Sequence, residues 1–280
     1  VSQLPPGGEE QELEPGSLLA AKTAEEAGRG IGSLLVRLLG PATDEVAIYL
    51  AYKAKRRIGN AMRILERAEA KGGQEGYMNE RVADRILDDG LLLDDSVAVD
   101  YVSGLLAGSR SPNGRDDRAV TWAAEVTSMS TLQIRAHYLL YREWASRLHG
   151  RADVQLNVTS GTRKALMLVE YSEFVSMLVG DHDIDRQGAI THAIIGIHQA
   201  GLIGQDFALG DKKTVAVEEN PFRAALKVTP TIRGIELYGW ASGDPSVIAP
   251  TFTRLAAPFD TDPPLPRLTR VVLPKLEPAS

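Results

Sequence analysis

From Thr43 to Arg67 the chain carries one unbroken helical repeat, and this constrains the fold more than any other feature of the sequence. Val46, Leu50, Ala54, Ile58, Ala61, Met62 and Leu65 return to one face, while Lys53, Lys55, Arg56, Arg57, Arg63 and Arg67 fall elsewhere. Thr43 stands where a helix cap belongs, with Asp44 and Glu45 in the first turn, where the helix dipole favours acids. Upstream, residues 17–39 repeat Leu18, Leu19, Ile31, Leu34, Leu35, Leu38 and Leu39 at a rough 3.6-residue period. The central Gly28, Gly30 and Gly32 each cost that helix roughly 1 kcal/mol. Gly40-Pro41 ends it.

Shorter helices follow. Asn79 opens one carrying Val82, Ile86 and Leu87 that closes at Gly90, and Asp95 or Ser96 opens another through Tyr101, Leu105 and Leu106. Residues 109–115 form a turn by their Ser, Pro, Asn and Gly content. Asp116 or Asp117 is placed to cap a helix through Trp122, and Ser130 a long one through Trp144 and Leu148 that ends at Gly150. Residues 17–150 therefore read as an all-helical domain.

Beyond 150 the pattern changes. Val154, Leu156 and Val158 alternate as a short strand does, and helices are predicted over 162–179 and 185–201. Two strand-like runs at 214–218 and 225–228 flank a turn at Asn220-Pro221, and Thr229-Pro230 starts a closing helix through Trp240. Helix, hairpin and closing helix give residues 151–244 a winged-helix-like order, weakened by 180–188 being barely long enough for the helix before the recognition helix. Residues 1–16 hold Glu9, Glu10, Glu12 and Glu14 with few large apolar groups, which predicts a disordered acidic arm. Eight of the fifteen prolines fall after residue 244, so 245–280 reads as an extended tail. The predicted class is mainly α: an N-terminal helical domain, a small α+β winged-helix-like unit, and disordered or extended termini.

Composition removes several chemistries. The chain has no cysteine, which excludes disulfides, thiolate zinc sites and a cysteine nucleophile. Its net charge of -6 argues against general binding to a phosphate backbone. The acidic start does not resemble a signal peptide, and no apolar run approaches the ~20 residues of a spanning helix, so a soluble cytoplasmic protein is expected. The sequon at Asn157 reads as a chance match.

Motif chemistries fail one at a time. Gly28, Gly30 and Gly32 have neither a preceding strand nor a following Gly-Lys-Ser/Thr, so neither a phosphate loop nor a dinucleotide fingerprint is present. Around Asp181, Asp183 and Asp185 a calcium loop would need glycine at Arg186 and glutamate at His192. Asp183 and Asp185 read instead as helix caps. No two of His137, His149, His182, His192 and His198 are spaced to hold zinc on one helix face, and no G-x-S-x-G is present. His137, among Arg135, Tyr138 and Tyr141, reads as a packed or hydrogen-bonded side chain. No metal, cofactor or catalytic residue is expected.

Two charged groups remain as candidate sites. Arg110, Arg115, Asp116, Asp117 and Arg118 place three guanidinium groups and two carboxylates within nine residues. They read either as a structural staple or as a recognition loop for a phosphate, a carboxylate or a protein. Lys53, Arg56, Arg57 and Arg63 read as a solvated helix face that could contact an anion.

The stretch Leu38-Leu39-Gly40-Pro41-Ala42-Thr43-Asp44-Glu45-Val46 leads into Arg57-Ile58-Gly59-Asn60-Ala61-Met62-Arg63-Ile64-Leu65-Glu66-Arg67-Ala68. Together these resemble the abortive-infection alpha family, over about 38–145 and more loosely beyond. Thr229-Pro230-Thr231-Ile232-Arg233-Gly234 is similar to that family's closing motif. The resemblance implies prokaryotic phage defence, in which an infected cell stops growing or dies, and supplies no catalytic residue for these positions. The expected function is a non-enzymatic defence protein that binds a phage or host component, as an oligomer. The alternatives are a winged-helix DNA-binding regulator, disfavoured by the acidic charge of that unit, and a membrane-perturbing effector acting through residues 17–40.

Overall fold

A computed structural model describes residues 44–72, 75–89, 95–180, 185–255 and 258–274. The expected arm over 1–16, the helix over 17–39 and its membrane reading lie outside them. The chain divides into two units, 1–57 and 58–280. Helix α1 (Asp44–Ala70) begins in the first and ends in the second.

The second unit continues through α2 (Glu80–Asp89), α3 (Ser96–Gly108), α4 (Ala119–Ser128), α5 (Thr131–Leu148), α6 (Thr159–Lys164) and β1 (Met167–Glu170). It goes on to α7 (Tyr171–Val179), α8 (Arg186–Gln199), β2 (Ala208–Asp211), α9 (Lys212–Val215), β3 (Ala224–Val228), α10 (Ile232–Ser242) and β4 (Val271–Val272). The protein is thus mainly helical, with a small antiparallel sheet in the order β2-β3-β1-β4.

Local chemistry explains the helix starts. Asp95 Oδ1 accepts from the amides of Val97 and Ala98 at 2.9 and 3.1 Å and so caps α3. Ser130 and Gln133 close a capping box on α5. Asp185 caps α8 through the amides of Gln187 and Gly188. Asp116 and Asp117 depart from expectation. The N-cap of α4 is Arg118, without a side-chain cap bond, and the Asp116 carboxylate instead accepts from the Arg118 guanidinium and backbone N–H.

Buried on all sides from Val97 to Gly108, with Asp100 and Ser103 as its polar side chains there, α3 is the central helix. α2, α4, α5 and α10 pack against it, and α5 in turn carries α7 and α8. One buried cluster contains Ile64, Val102, Trp144, Met167, Ile194, Leu226 and Val271, and so joins side chains from both sides of residue 150.

Three expected elements are corrected. Residues 154–158 form turns, with Val154 and Leu156 buried, rather than a strand. The helix expected over 162–179 is interrupted by β1, which pairs with β3 on one side and β4 on the other. Met167 and Val169 enter the main cluster while Leu168 joins a second one with Val215, Phe222 and Ala225, so both faces of β1 are apolar and period-two alternation vanishes. The strand expected at 214–218 is the helix α9 followed by a left-handed Ala216, and β2 is the preceding 208–211. Asp211 caps α9 through Thr214 N at 2.9 Å, and that cap ends the strand.

Residues 258–274 are strapped to the helices by side chain-to-backbone bonds. Asp262 N donates to Asp100 Oδ2 at 3.0 Å, and the buried Arg142 donates to the carbonyls of Leu265 and Pro266. Glu173 accepts from Thr269 N, Thr269 Oγ1 and Arg270 N at 2.6 to 2.8 Å, just before β4. Burial alone would raise the Glu173 pKa, but those bonds outweigh it and hold the carboxyl below its ordinary 4.5. Its contribution is therefore present above pH 4.5 and is lost as the pH falls through the lowered value. Glu173→Gln should loosen the strap by about 1 kcal/mol, discounted for solvent exposure, and raise amide exchange over 266–274 at pH 7. Unchanged exchange there would mean that β4 pairing alone holds the strap.

Candidate functional site

The 110–118 loop is tied down from within. Tyr77 and Ser111 exchange backbone bonds at 2.9 and 3.0 Å, and Asn79 Nδ2 donates to Gly114 O at 3.0 Å. Arg110 is bound to Glu69 of α1, and Arg81 to Asp117 at 2.7 Å. Arg118 makes a forked contact with Asp116 at 2.6 to 3.1 Å and lies over the Trp240 ring at 5.6 Å. The side-chain bonds from Arg118 lead the causes that hold the Asp116 carboxyl below its ordinary range. Four of the five singled-out side chains therefore have partners inside the chain, while Arg115 is exposed and makes no salt bridge among the described residues.

The α1 cations do not form one uniform set. Lys53 and Arg57 are exposed, and Arg56 is half-buried. Arg63 is also half-buried, with its Nε and Nη2 enclosed and without hydrogen-bond partners. Arg67 points inward to Asp100 at 3.2 Å, beside Lys71, whose amine burial pushes below its ordinary pKa. An apolar helix face ordinarily meets a core. Here, among the described side chains of α1, those that enter it are Asn60, Ile64 and Ala68, whereas Ile58, Met62 and Leu65 stand in solvent.

The histidines are structural in their contacts. His137 is fully buried, with Nδ1 2.6 Å from Tyr101 Oη and Nε2 3.1 Å from Gly234 O, and it stacks on Tyr141. Burial drives its pKa down to about 3. His192 Nε2 meets the Ser130 hydroxyl at 2.9 Å, and His198 lies against Phe207. His182 and the acids at 181 and 183 lie outside the described residues.

A surface formed by α8, the start of α7 and the β2–β3 hairpin was only partly legible. Gln187, Thr191 and Ile195 present a neutral, exposed face on α8, and Tyr171, Gln187, Thr191 and Leu209 border a cleft of about 300 Å³. Lys212, Lys213 and Arg223 surround an open cleft of about 510 Å³ beside Pro221, and none makes a salt bridge among the described residues. Three of the nearby acids have structural roles: Asp185 and Asp211 cap helices, and Asp206 holds Lys227 at 2.7 Å, while Glu218 and Glu219 are exposed.

Sequence reasoning missed a further cleft of about 410 Å³, lined by Gln155, Asn157, Thr253 and Arg254. Its walls come from residues about a hundred positions apart, so no local motif could have signalled it. Among the described residues no group of three or more His, Asp or Glu is placed to hold a metal ion, and no helix is long and apolar enough to cross a membrane. Comparisons with protein-family models, curated proteins and solved structures find no match.

Proposed function

We propose that this chain is a non-enzymatic recognition protein whose residues 131–228 are built as a winged helix, acting in the prokaryotic phage defence that the abortive-infection resemblance implies. The order α5-α6-β1-α7-α8-β2-α9-β3 carries the reading, with the short α6 and α9 taken as insertions before β1 and within the hairpin, and with β3 hydrogen-bonded between β2 and β1. In a winged helix α8 is the recognition helix, α7 the short helix before it, and the β2–β3 hairpin the wing. The short helix before the recognition helix is then α7 and not the stretch 180–188, whose last three residues open α8.

Protein is favoured as the partner. The face of α8 that carries Gln187, Thr191 and Ile195 is neutral, with the exposed Arg186 only at its first residue, and the helix starts that would meet phosphate in a DNA complex carry carboxylates, Glu170 on α7 and Asp185 on α8. Ile195→Glu should weaken protection by at least about tenfold in a phage-plating assay, equivalent to ~1.4 kcal/mol of binding, while leaving the thermal midpoint unchanged. Unchanged plaque formation between the wild-type chain and an empty control across a broad phage panel would overturn the defence role.

Lys212, Lys213 and Arg223 favour a second reading, in which the wing grips the backbone of duplex DNA. Three phosphate contacts would give a slope of about -3 for log affinity against log salt on random duplex, and Lys213→Glu would flatten it. Absence of any salt-dependent shift would remove this reading.

A further inference from the structure

We propose that two copies of this chain pair through the outward face of α1, antiparallel and centred on Met62. This stands apart from the recognition role of α8. Besides Tyr52, three large apolar side chains among the described residues of α1 face solvent: Ile58 is 65 % exposed, Met62 54 % and Leu65 38 %. They recur at spacings of four and three, which puts them on one stripe, and Asn60, Ile64 and Ala68 occupy the opposite, buried side. Scattered apolar residues on a surface need no explanation, but a stripe at helical spacing is the pattern of a helix partner.

Charge selects a second copy as that partner and sets its direction. Lys55 lies seven residues before Met62, and Glu69 seven residues after it, so all three share one heptad position. Parallel pairing in register would set lysine against lysine and glutamate against glutamate. Antiparallel pairing about Met62 sets Lys55 against the partner's Glu69, twice per dimer, and lays Ile58 beside the partner's Leu65. The Glu69 side chain remains 68 % exposed while it holds Arg110, so it can still face a second cation. Ala54 and Ala61 flank the stripe and let the two backbones approach.

The absence of cysteine makes the test clean. Met62→Cys in the full chain should oxidise to a covalent dimer, because the two sulfurs meet at the twofold axis. Glu69→Cys should stay monomeric under the same conditions, because its copies stand about 21 Å apart along the pair. Lys55→Cys combined with Glu69→Cys should cross-link again. Wild-type chain should sediment at twice the 30.3 kDa monomer mass, and Met62→Glu should halve that mass with an unchanged helical circular dichroism signal. A Glu69→Cys chain that cross-links as fast as Met62→Cys would overturn the antiparallel arrangement. A wild-type chain that stays at monomer mass at every concentration, with no Met62→Cys dimer, would overturn the pairing and leave the stripe to residues 17–39 or to another protein.

Discussion

Replacing Gly104 with alanine is expected to destabilise the protein by about 3 kcal/mol or more, a loss large enough to prevent folding at 37 °C. Gly104 lies in α3, where it meets α10. A Cβ there would stand far inside the carbonyl of Ala241 and 2.9 Å from its Cα. These are backbone atoms and cannot rotate away, so the two helices would have to separate. Two effects compete, since alanine favours a helix over glycine by roughly 1 kcal/mol. Steric cost wins here because α3 and α10 form the centre of the buried cluster, and a shift at Gly104 would also disturb Gly108 against Trp240. Gly59→Ala is the control: no atom lies within 4 Å of its added carbon, so propensity alone should stabilise by about 1 kcal/mol. Urea unfolding of both variants measures the contrast. A Gly104→Ala chain as stable as the wild type would mean that α3 and α10 can part freely.

Features set by neighbouring residues were legible in the sequence, and those set by distant ones were not. Ser130 and Asp185 cap their helices as their spacing predicted, because a cap needs only the next three amides. β1 was hidden because its neighbours lie about sixty and a hundred residues away and bury both its faces. The α1 repeat located a helix correctly but could not say which side enters the core. The inward side uses the Arg67–Asp100 pair and the enclosed Lys71 alongside Ile64, a combination that a pattern of apolar residues cannot reveal. At the 110–118 loop, composition identified the charged groups, while their partners Glu69, Arg81 and Trp240 come from three other segments. The acidity that counted against DNA contact beyond residue 150 was likewise a sum over residues: Asp185, Asp206 and Asp211 serve in caps and a lysine pair, while Glu218 and Glu219 stay exposed.

Acid should destabilise this fold well before its carboxylates titrate, and His137 should be the main cause. Its ring is enclosed between Tyr101, Tyr141 and the Gly234 carbonyl, with its neutral form held by one accepted and one donated hydrogen bond. Burial lowers its pKa from 6.5 to about 3, so between those values the unfolded chain binds a proton that the folded chain refuses. Stability therefore falls as the pH drops below 6.5, by roughly 1.4 kcal/mol per unit, or on the order of 2–3 kcal/mol by pH 4.5. Asp100 works in the opposite direction. Burial leads the causes that raise its pKa, so it gains stability on protonation, but only nearer the carboxylate range. His137→Leu should cost about 2–4 kcal/mol at pH 7, because the Tyr101 hydroxyl and the Gly234 carbonyl lose their partner in the core. The same substitution should flatten the slope between pH 6.5 and 4.5. Denaturant titrations at three pH values separate the two effects. A slope that survives His137→Leu would place the proton uptake at another group.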